Sequence, residues 1–385
     1  MIWLNLITLL AIALVIYHHA GYPLLLARLA RRRPAPPLPP APSELPRITL
    51  LVAAYQEAAH TVAKIHNCAA LDYPRDRLQV LIACDGCRDN TAALARQAAQ
   101  EWWIGDLKVD VLDFPRNRGK VAVLNDAMRS STGEIIVATD ASALLSVDGL
   151  QRVARWFSDP QIGIVCATYR LMATGPAGED AYWRIQTGVL RHEARFGAAL
   201  GAHGAGYGFR RSAWQPLPPD TINDDFILPT RIIAAGYRGI YDDTIVALEM
   251  DPTSEAQSFR RRIRIGAGNL QQLVRSLRLI DPQRPALAWL FLSGKGLRPL
   301  MPLILLIALA GSLLATIDGS PWFAVLLTGQ GLGYGLGLLA PWLPARLRLT
   351  RPVQMVRTIV RGHLAGLIGA GRYVIGLDRG RWRRV

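Results

Sequence analysis

Cysteine is scarce in this chain: four stand among 385 residues, Cys68, Cys84, Cys87 and Cys166. Cys84 and Cys87 form a C-x-x-C, but no second pair completes a zinc site, so reduced thiols in a cytosol-facing domain are expected. No G-x-x-x-x-G-K-[ST] loop occurs, which argues against a transporter driven by a nucleotide-binding domain. RNA-binding signatures and aromatic-basic repeats are also missing, so nucleic acid is not an expected partner. Acids are in deficit: 29 Asp and Glu face 44 Lys and Arg, a formal charge of +15. With nucleic acid set aside, that imbalance points to a membrane face or to phosphorylated ligands.

What the chain has in quantity is apolar sequence, 51% of its residues, with a mean hydropathy of +0.18. Residues 2–27 are almost wholly apolar and long enough to cross a bilayer. They lack a small-residue cleavage site, so a retained anchor is expected rather than a signal peptide. Arg28, Arg31, Arg32 and Arg33 follow, then the stiff run PAPPLPPAP. The arginines place this end in the cytoplasm. Residues 300–317 and 322–343, joined by IDGSP, read as a membrane hairpin that returns at Arg346, Arg348 and Arg351. The last apolar segment, 353–377, carries Arg357, Arg361 and Arg372 and precedes DRGRWRRV. A span there would put the basic tail outside, so an interfacial or re-entrant helix is the preferred reading.

Between these segments the pattern changes. ITLLVAAY, LQVLIACDG, VDVLDF and EIIVATD read as strands. Helical stretches separate them: one ending near Ala70, then TAALARQAAQEWW and KVAVLNDAMRSS. Such alternation predicts an α/β domain with a mostly parallel, Rossmann-like sheet. Ligands bind such sheets at the carboxyl ends of the strands. Those ends carry Ala54, Tyr55 and Glu57, then Asp85 and Gly86, then Asn117 to Lys120, then Asp140. Asp85 can accept hydrogen bonds from a base or sugar, or cap a turn. Arg116, Arg118 and Lys120 offer charge for a diphosphate. GAHGAGYGFRRS is a glycine-rich loop leading into a strand, and Asp224 and Asp225 begin a helix, where backbone N–H groups favour anions. Two adjacent acids repel, which suits one of them to general-base work; simple capping is the alternative. QSFRRRIRIGAGNLQQLVRSLRL is an amphipathic basic helix whose Phe259, Ile263, Leu270, Leu273 and Leu277 can face lipid.

The ordered set VAAYQEAA, CDGCRDNT, NRGKVAVLN, TDAS, GAGYGFRRS, NDDF and QSFRR resembles the membrane-bound family 2 glycosyltransferases, the group of cellulose, chitin, hyaluronan and poly-N-acetylglucosamine synthases and related lipid glycosyltransferases. The resemblance covers about residues 48–279. It implies a GT-A fold and sugar transfer, with inversion, from a nucleotide-diphosphate donor, a UDP-sugar by family frequency. By the same resemblance Ala54, Tyr55 and Glu57 lie at the nucleotide, Asp85 contacts the base, and Lys120 belongs to the donor site. Asp140 is the first acid of a D-x-D metal motif, for Mg2+ or Mn2+. Asp225, beside Asp224, is the base that deprotonates the acceptor, and Gln257 and Arg260 match Q-x-x-R-W at the diphosphate. Two positions depart from the pattern. Ser142 stands where D-x-D has its second acid. Arg261 replaces the tryptophan, which puts processive polymer synthesis in question.

The expected plan is a transmembrane helix at 1–27, a basic proline-rich linker at 28–47 and the GT-A domain at 48–254. Amphipathic interfacial helices follow at 255–299, the membrane hairpin at 300–344 and a basic C-terminal segment at 345–385. The expected protein is a multi-pass enzyme of the inner or plasma membrane with a cytoplasmic catalytic domain, acting in cell-envelope polysaccharide synthesis. Its expected partners are a nucleotide-sugar donor, a glycan or lipid acceptor and membrane lipids. The rival is a non-catalytic, nucleotide-binding relative within a polysaccharide assembly complex.

Overall fold

The computed structural model describes residues 2–172, 177–251 and 255–377. They fall into two compact units. One is built on a sheet, from residues 33–172 and 190–251; the other is helical, from 2–32, 177–189 and 255–377.

The first four strands of the sheet unit are β1 (Ile48–Ala54), β2 (Leu78–Asp85), β3 (Lys108–Phe114) and β4 (Ile135–Asp140). All lie parallel, in the spatial order β3-β2-β1-β4. Both faces of β1 and β2 are buried, which is why these strands are continuous apolar runs rather than alternating ones. The intervening helices are Ala58–Ala70, Thr91–Ala99 and Lys120–Ser130. The second ends earlier than its sequence predicts. Its buried face is Ala92, Ala95 and Ala98, and beyond it Trp102 is 92% exposed.

The sheet has eight strands and is mixed: six run parallel, as the expectation of a mostly parallel sheet has it, and two run against them. After β5 (Ala143–Leu145) and β6 (Ile162–Leu171) come β7 (Tyr207–Arg210) and β8 (Arg238–Glu249). β7 is inserted antiparallel between β4 and β6, and β5 runs antiparallel to β8. The physical reason bears on the site. β7 enters the sheet from the glycine-rich loop at the edge where β4 leaves it, so the two segments meet there.

The proline-rich segment 33–47 is not a free spacer. Leu38 and Leu45 pack on the sheet unit's core, Arg155 Nε donates to the Pro39 carbonyl at 3.0 Å, and Arg77 Nη1 to that of Leu45 at 2.6 Å.

In the helical unit, two helices among the described residues are long and apolar enough to cross a membrane, Ile2–Arg31 and Pro321–Trp342. The first limb of the expected hairpin, Met301–Ile317, meets that test only together with Pro285–Gly296, from which it bends by 67°. The segment expected to be interfacial is one helix, Arg351–Val374, and it does not meet the test. It packs tightly along Glu255–Arg275: a Cβ on Gly369 would stand 2.2 Å from the Ile263 carbonyl oxygen. Phe259, expected to face lipid, lies under the Arg361 guanidinium at 5.2 Å, because the neighbouring helix covers that face. The basic tail at 378–385 lies outside the described residues.

Candidate active site

The site is built where β4 ends and β7 begins. Asp140 closes β4, and Lys120 opens the helix Lys120–Ser130 after Gly119, whose φ of +96° suits glycine. Lys120 Nζ donates to Asp140 Oδ1 at 3.0 Å and lies 3.6 Å from Asp224 Oδ2. Burial alone would lower the Lys120 pKa, but Asp140, Asp224 and Asp225 outweigh it and hold the ammonium above the usual lysine range.

Asp224 and Asp225 occupy the first turn of Asp224–Ala234, at the positive end of the helix. Asp224 is buried, and its Oδ2 accepts no hydrogen bond from the described residues. Asp225 is only half-buried, and its carbonyl accepts the Ala202 N–H at 2.7 Å, tying the glycine-rich loop to the acids. That loop needs its glycines. A Cβ on Gly204 would stand 3.2 Å from Asp140 Oδ2 and 3.5 Å from Lys120 Nζ. The next residue in the loop, Ala205, offers its carbonyl to Thr139 Oγ1 at 2.7 Å. His203 stacks on Tyr169, with ring centroids 3.8 Å apart.

Two groups beneath the acids were not anticipated from sequence. Lys64 is 1% exposed; its Nζ donates to Thr139 Oγ1 at 2.8 Å and to the Ala143 carbonyl, spanning the Asp140–Ser142 turn. Burial lowers its pKa to about 8, against the opposing effect of Cys68, Asp140 and Glu249. Tyr207, the first residue of β7, buries a hydroxyl that has no hydrogen-bond partner among the described residues. Burial first, then the charges of Asp224, Asp225 and Asp140, raise that phenol well above its ordinary range. Both escape a sequence reading. A helix lysine reads as solvated, and a strand tyrosine reads as core.

The remaining strand-end residues lie along the same edge. Ala54 is buried, and its carbonyl accepts Cys87 Sγ at 3.6 Å; Tyr55 is half-buried. The Glu57 carboxylate is 3.0 Å from His60 Nδ1, and His60 Nε2 is 2.9 Å from Asp251. Asp85, expected at the base, is fully buried and turned toward the chain itself. Its oxygens accept the backbone N–H groups of Arg118 at 2.9 Å and Gly119 at 2.8 Å. Gly86 (φ +63°) presses on the same loop so closely that a Cβ would meet Asn117 N at 2.3 Å. Arg116 and Arg118 are exposed there, with Arg118 Nη2 2.7 Å from Asp126. Ser142 is half-buried, and its carbonyl accepts the Met250 N–H at 3.0 Å. All four cysteines are free thiols. The structure thus gathers Asp140, Lys120, Asp224 and Asp225. Gln257 and Arg260 lie exposed on Glu255–Arg275, in the helical unit.

The donor set suits a hard divalent cation. All its candidate ligands are carboxylate oxygens, and Asp224 Oδ2 is an orphaned buried acceptor. No group of three or more His, Cys, Asp or Glu among the described residues can hold an ion by itself. The fit is to an ion held by one or two carboxylates and completed by substrate phosphates, as magnesium commonly is.

A family model described as glycosyltransferase like family 2 matches residues 46–268, which include every one of these groups. The chain belongs to that family. As a family 2 glycosyltransferase it transfers sugar from a nucleotide-sugar donor. It is similar to an N-acetylglucosaminyltransferase of Mesorhizobium japonicum, 26% identical over 309 residues, 75% of this chain and 71% of that protein. It is also similar to a beta-monoglucosyldiacylglycerol synthase of Synechocystis sp., 29% identical over 203 residues, 49% of this chain and 40% of that protein. Among solved structures it resembles the mannosyltransferase PcManGT of Pyrobaculum calidifontis in complex with GDP-Man and Mn2+. That match has 29% identity, covers 96% of this chain and 99% of the other, and has a TM-score of 0.73. The glycosyltransferase therefore has a GT-A-like fold.

Proposed function

We propose that this family 2 glycosyltransferase is an inverting, membrane-bound enzyme with Asp225 as its base. The observation that carries the reading is the arrangement of its charges. Lys120 holds Asp140 and the buried Asp224 together, while Asp225 beside them stays accessible. In this reading Asp225 takes the proton of an acceptor hydroxyl, and that oxygen attacks the anomeric carbon in line. The bond to the nucleoside diphosphate breaks, and the configuration inverts. Lys120 stabilises charge on the departing diphosphate, and Asp224 keeps Lys120 in place. A magnesium or manganese ion would be held by Asp140, with Ser142 too weak a ligand to replace an acid, and would supply further positive charge there. Support for such an ion comes from the similar mannosyltransferase, whose complex holds Mn2+.

Asp85 is assigned to shaping the loop 116–119, with Ala54, Tyr55 and Glu57 on the nucleotide side of the edge. The motif match assigns Gln257 and Arg260 to the diphosphate, and that assignment rests on sequence pattern alone. The acceptor is a lipid or a membrane-proximal glycan, to which one or a few sugars are added. Arg261 in place of the motif tryptophan supports limited transfer. The two apolar helices support membrane attachment, and Arg28, Arg31, Arg32 and Arg33 support a cytoplasmic catalytic domain. The donor is a UDP-sugar on family frequency, although the similar mannosyltransferase holds GDP-Man.

A donor screen with the detergent-solubilised enzyme, read by mass spectrometry of lipid and polymer fractions, tests this function. Transfer or hydrolysis of one nucleotide sugar is expected. No turnover of any donor with Mg2+ or Mn2+ present would favour the non-catalytic alternative.

A further inference from the structure

The helix Ala58–Ala70 packs a polar face into the sheet unit. Its buried residues are His60, Thr61, Lys64, Ile65 and Cys68, so a position that could bury hydrocarbon buries an ammonium. Taking that charge out of water is costly, and its partners must offset the cost. A methionine would fill the same length of space without it. What Lys64 holds is therefore informative. Its Nζ has two acceptors, and they bracket one turn. Thr139 Oγ1, at 2.8 Å, precedes Asp140, and the Ala143 carbonyl follows Ser142. Asp140 and Glu249 act on the ammonium electrostatically and favour its charge. Ala143 opens β5 opposite Glu249, and the Met250 N–H donates to the Ser142 carbonyl at 3.0 Å. The turn is thus held on both sides of Asp140.

The direction of these bonds carries the hold further. An ammonium only donates, so Thr139 Oγ1 accepts from Lys64 and gives its single hydrogen elsewhere. The nearer acceptor is the Ala205 carbonyl at 2.7 Å; the Asp140 carbonyl stands at 3.4 Å. One relay therefore runs from Lys64 through Thr139 to the glycine-rich loop. It ends beside Gly204, where a Cβ would stand 3.2 Å from Asp140 Oδ2, so it sets the spacing of loop and carboxylate. The helix itself is anchored one turn earlier. His60 Nδ1 is 3.0 Å from Glu57 and its Nε2 is 2.9 Å from Asp251, just beyond β8.

Ser142 gives this hold its weight. With a serine where the motif has its second acid, Asp140 is the motif's single carboxylate, and its own placement decides how an ion is met. Groups behind a ligand that fix its orientation change metal affinity by about ten- to hundredfold when they are removed. We infer that Lys64, through Thr139, is a positioning residue that holds the Asp140 carboxylate in place to take a divalent cation. The inference rests on the proposed metal role of Asp140.

The test is Mn2+ binding to the full chain in non-ionic detergent, followed by electron paramagnetic resonance with UDP and, separately, GDP present. Lys64→Met removes the charge and its hydrogen bonds, and Thr139→Val keeps the shape of the side chain without its hydroxyl. Each is expected to weaken Mn2+ binding about tenfold or more. The double variant is expected to bind no more weakly than the weaker single one, because both break the same clamp. The sign is decisive. Were Lys64 only a positive charge near the ion, its removal would tighten Mn2+ binding. Ile65→Val loosens the packing of the same helix and is expected to lower the thermal midpoint with Mn2+ affinity unchanged. If Lys64→Met does not fold, Thr139→Val, which alters no charge, carries the test. Equal or tighter Mn2+ binding by the folded variants overturns the inference, and so does an equal loss in Ile65→Val. No Mn2+ binding by the unaltered chain with either nucleotide removes the metal role of Asp140, and this inference with it.

Discussion

The two units meet opposite charge problems. The helical unit carries nineteen basic residues against five acidic ones, while residues 33–173 and 190–252 of the sheet unit carry twenty-one against twenty-three. In the sheet unit, charges close locally: Lys120 with Asp140 and Asp224, Arg118 with Asp126, Arg152 with Asp242. In the helical unit the cations outnumber the acids nineteen to five, so local pairing with acids cannot close them all. The net charge of +15 therefore describes one part of the molecule and not the part that carries the acids. A paired cluster can hold a reactive carboxylate at a fixed place, whereas an excess of positive charge attracts anions.

Removing the accessible acid from the paired cluster is the sharpest way to break this contrast. Asp225→Asn is expected to lower kcat by about a thousandfold, within the range for a general base. Donor affinity, followed by calorimetry, is expected to stay within about twofold if the acid acts only on the acceptor. The helical unit responds to packing instead. Gly369→Ala sets a methyl against the Ile263 backbone at 2.2 Å, and overpacking of that kind costs about 1–3 kcal/mol. A lower thermal midpoint of the detergent-solubilised protein checks it.

Lys64 separates charge from packing within the sheet unit. Its pKa falls from 10.5 to about 8 on folding. Between those values the unfolded chain holds a proton that the native chain has released, so stability from this group rises with pH across that window. Thermal unfolding at pH 7.5 and 10 is expected to show the unaltered protein gaining on Lys64→Met. Equal changes in both would remove the buried charge from the account. The smallest effect expected is at the turn above it. Ser142→Asp is predicted to tighten Mn2+ activation several-fold, as a second carboxylate ligand would. An unchanged metal titration would show that position 142 is not a ligand site.

The first half of the sheet was legible because parallel, doubly buried strands leave continuous apolar runs, and β1 to β4 were found within about a residue. The second half was not. The direction of β7 is set by its long-range pairing with β4 and β6, which the four residues YGFR do not encode. Asp140 and Lys120 could be placed at one edge because a strand end and a helix start place them there, whereas Asp224 and Asp225 read only as a helix start and are tied to that edge by the family resemblance alone. The orientation of Asp85 could not be read. A carboxylate at a strand end looks the same in sequence whether it faces a ligand or, as here, two backbone N–H groups. Phe259 shows the same limit in the helical unit: its apolar face was evident, but its cover, Arg361, lies about a hundred residues away.

The loop held by Asp85 has a practical consequence. Its path is fixed by contacts to main chain, from the Asp85 carboxylate and the Gly86 backbone, while its exposed charge comes from Arg116 and Arg118. Form and charge at this edge are thus separately adjustable. Under the proposed function, libraries at positions 116 and 118 are expected to shift donor choice on an unaltered frame, while changes at 85 and 86 disturb the frame itself.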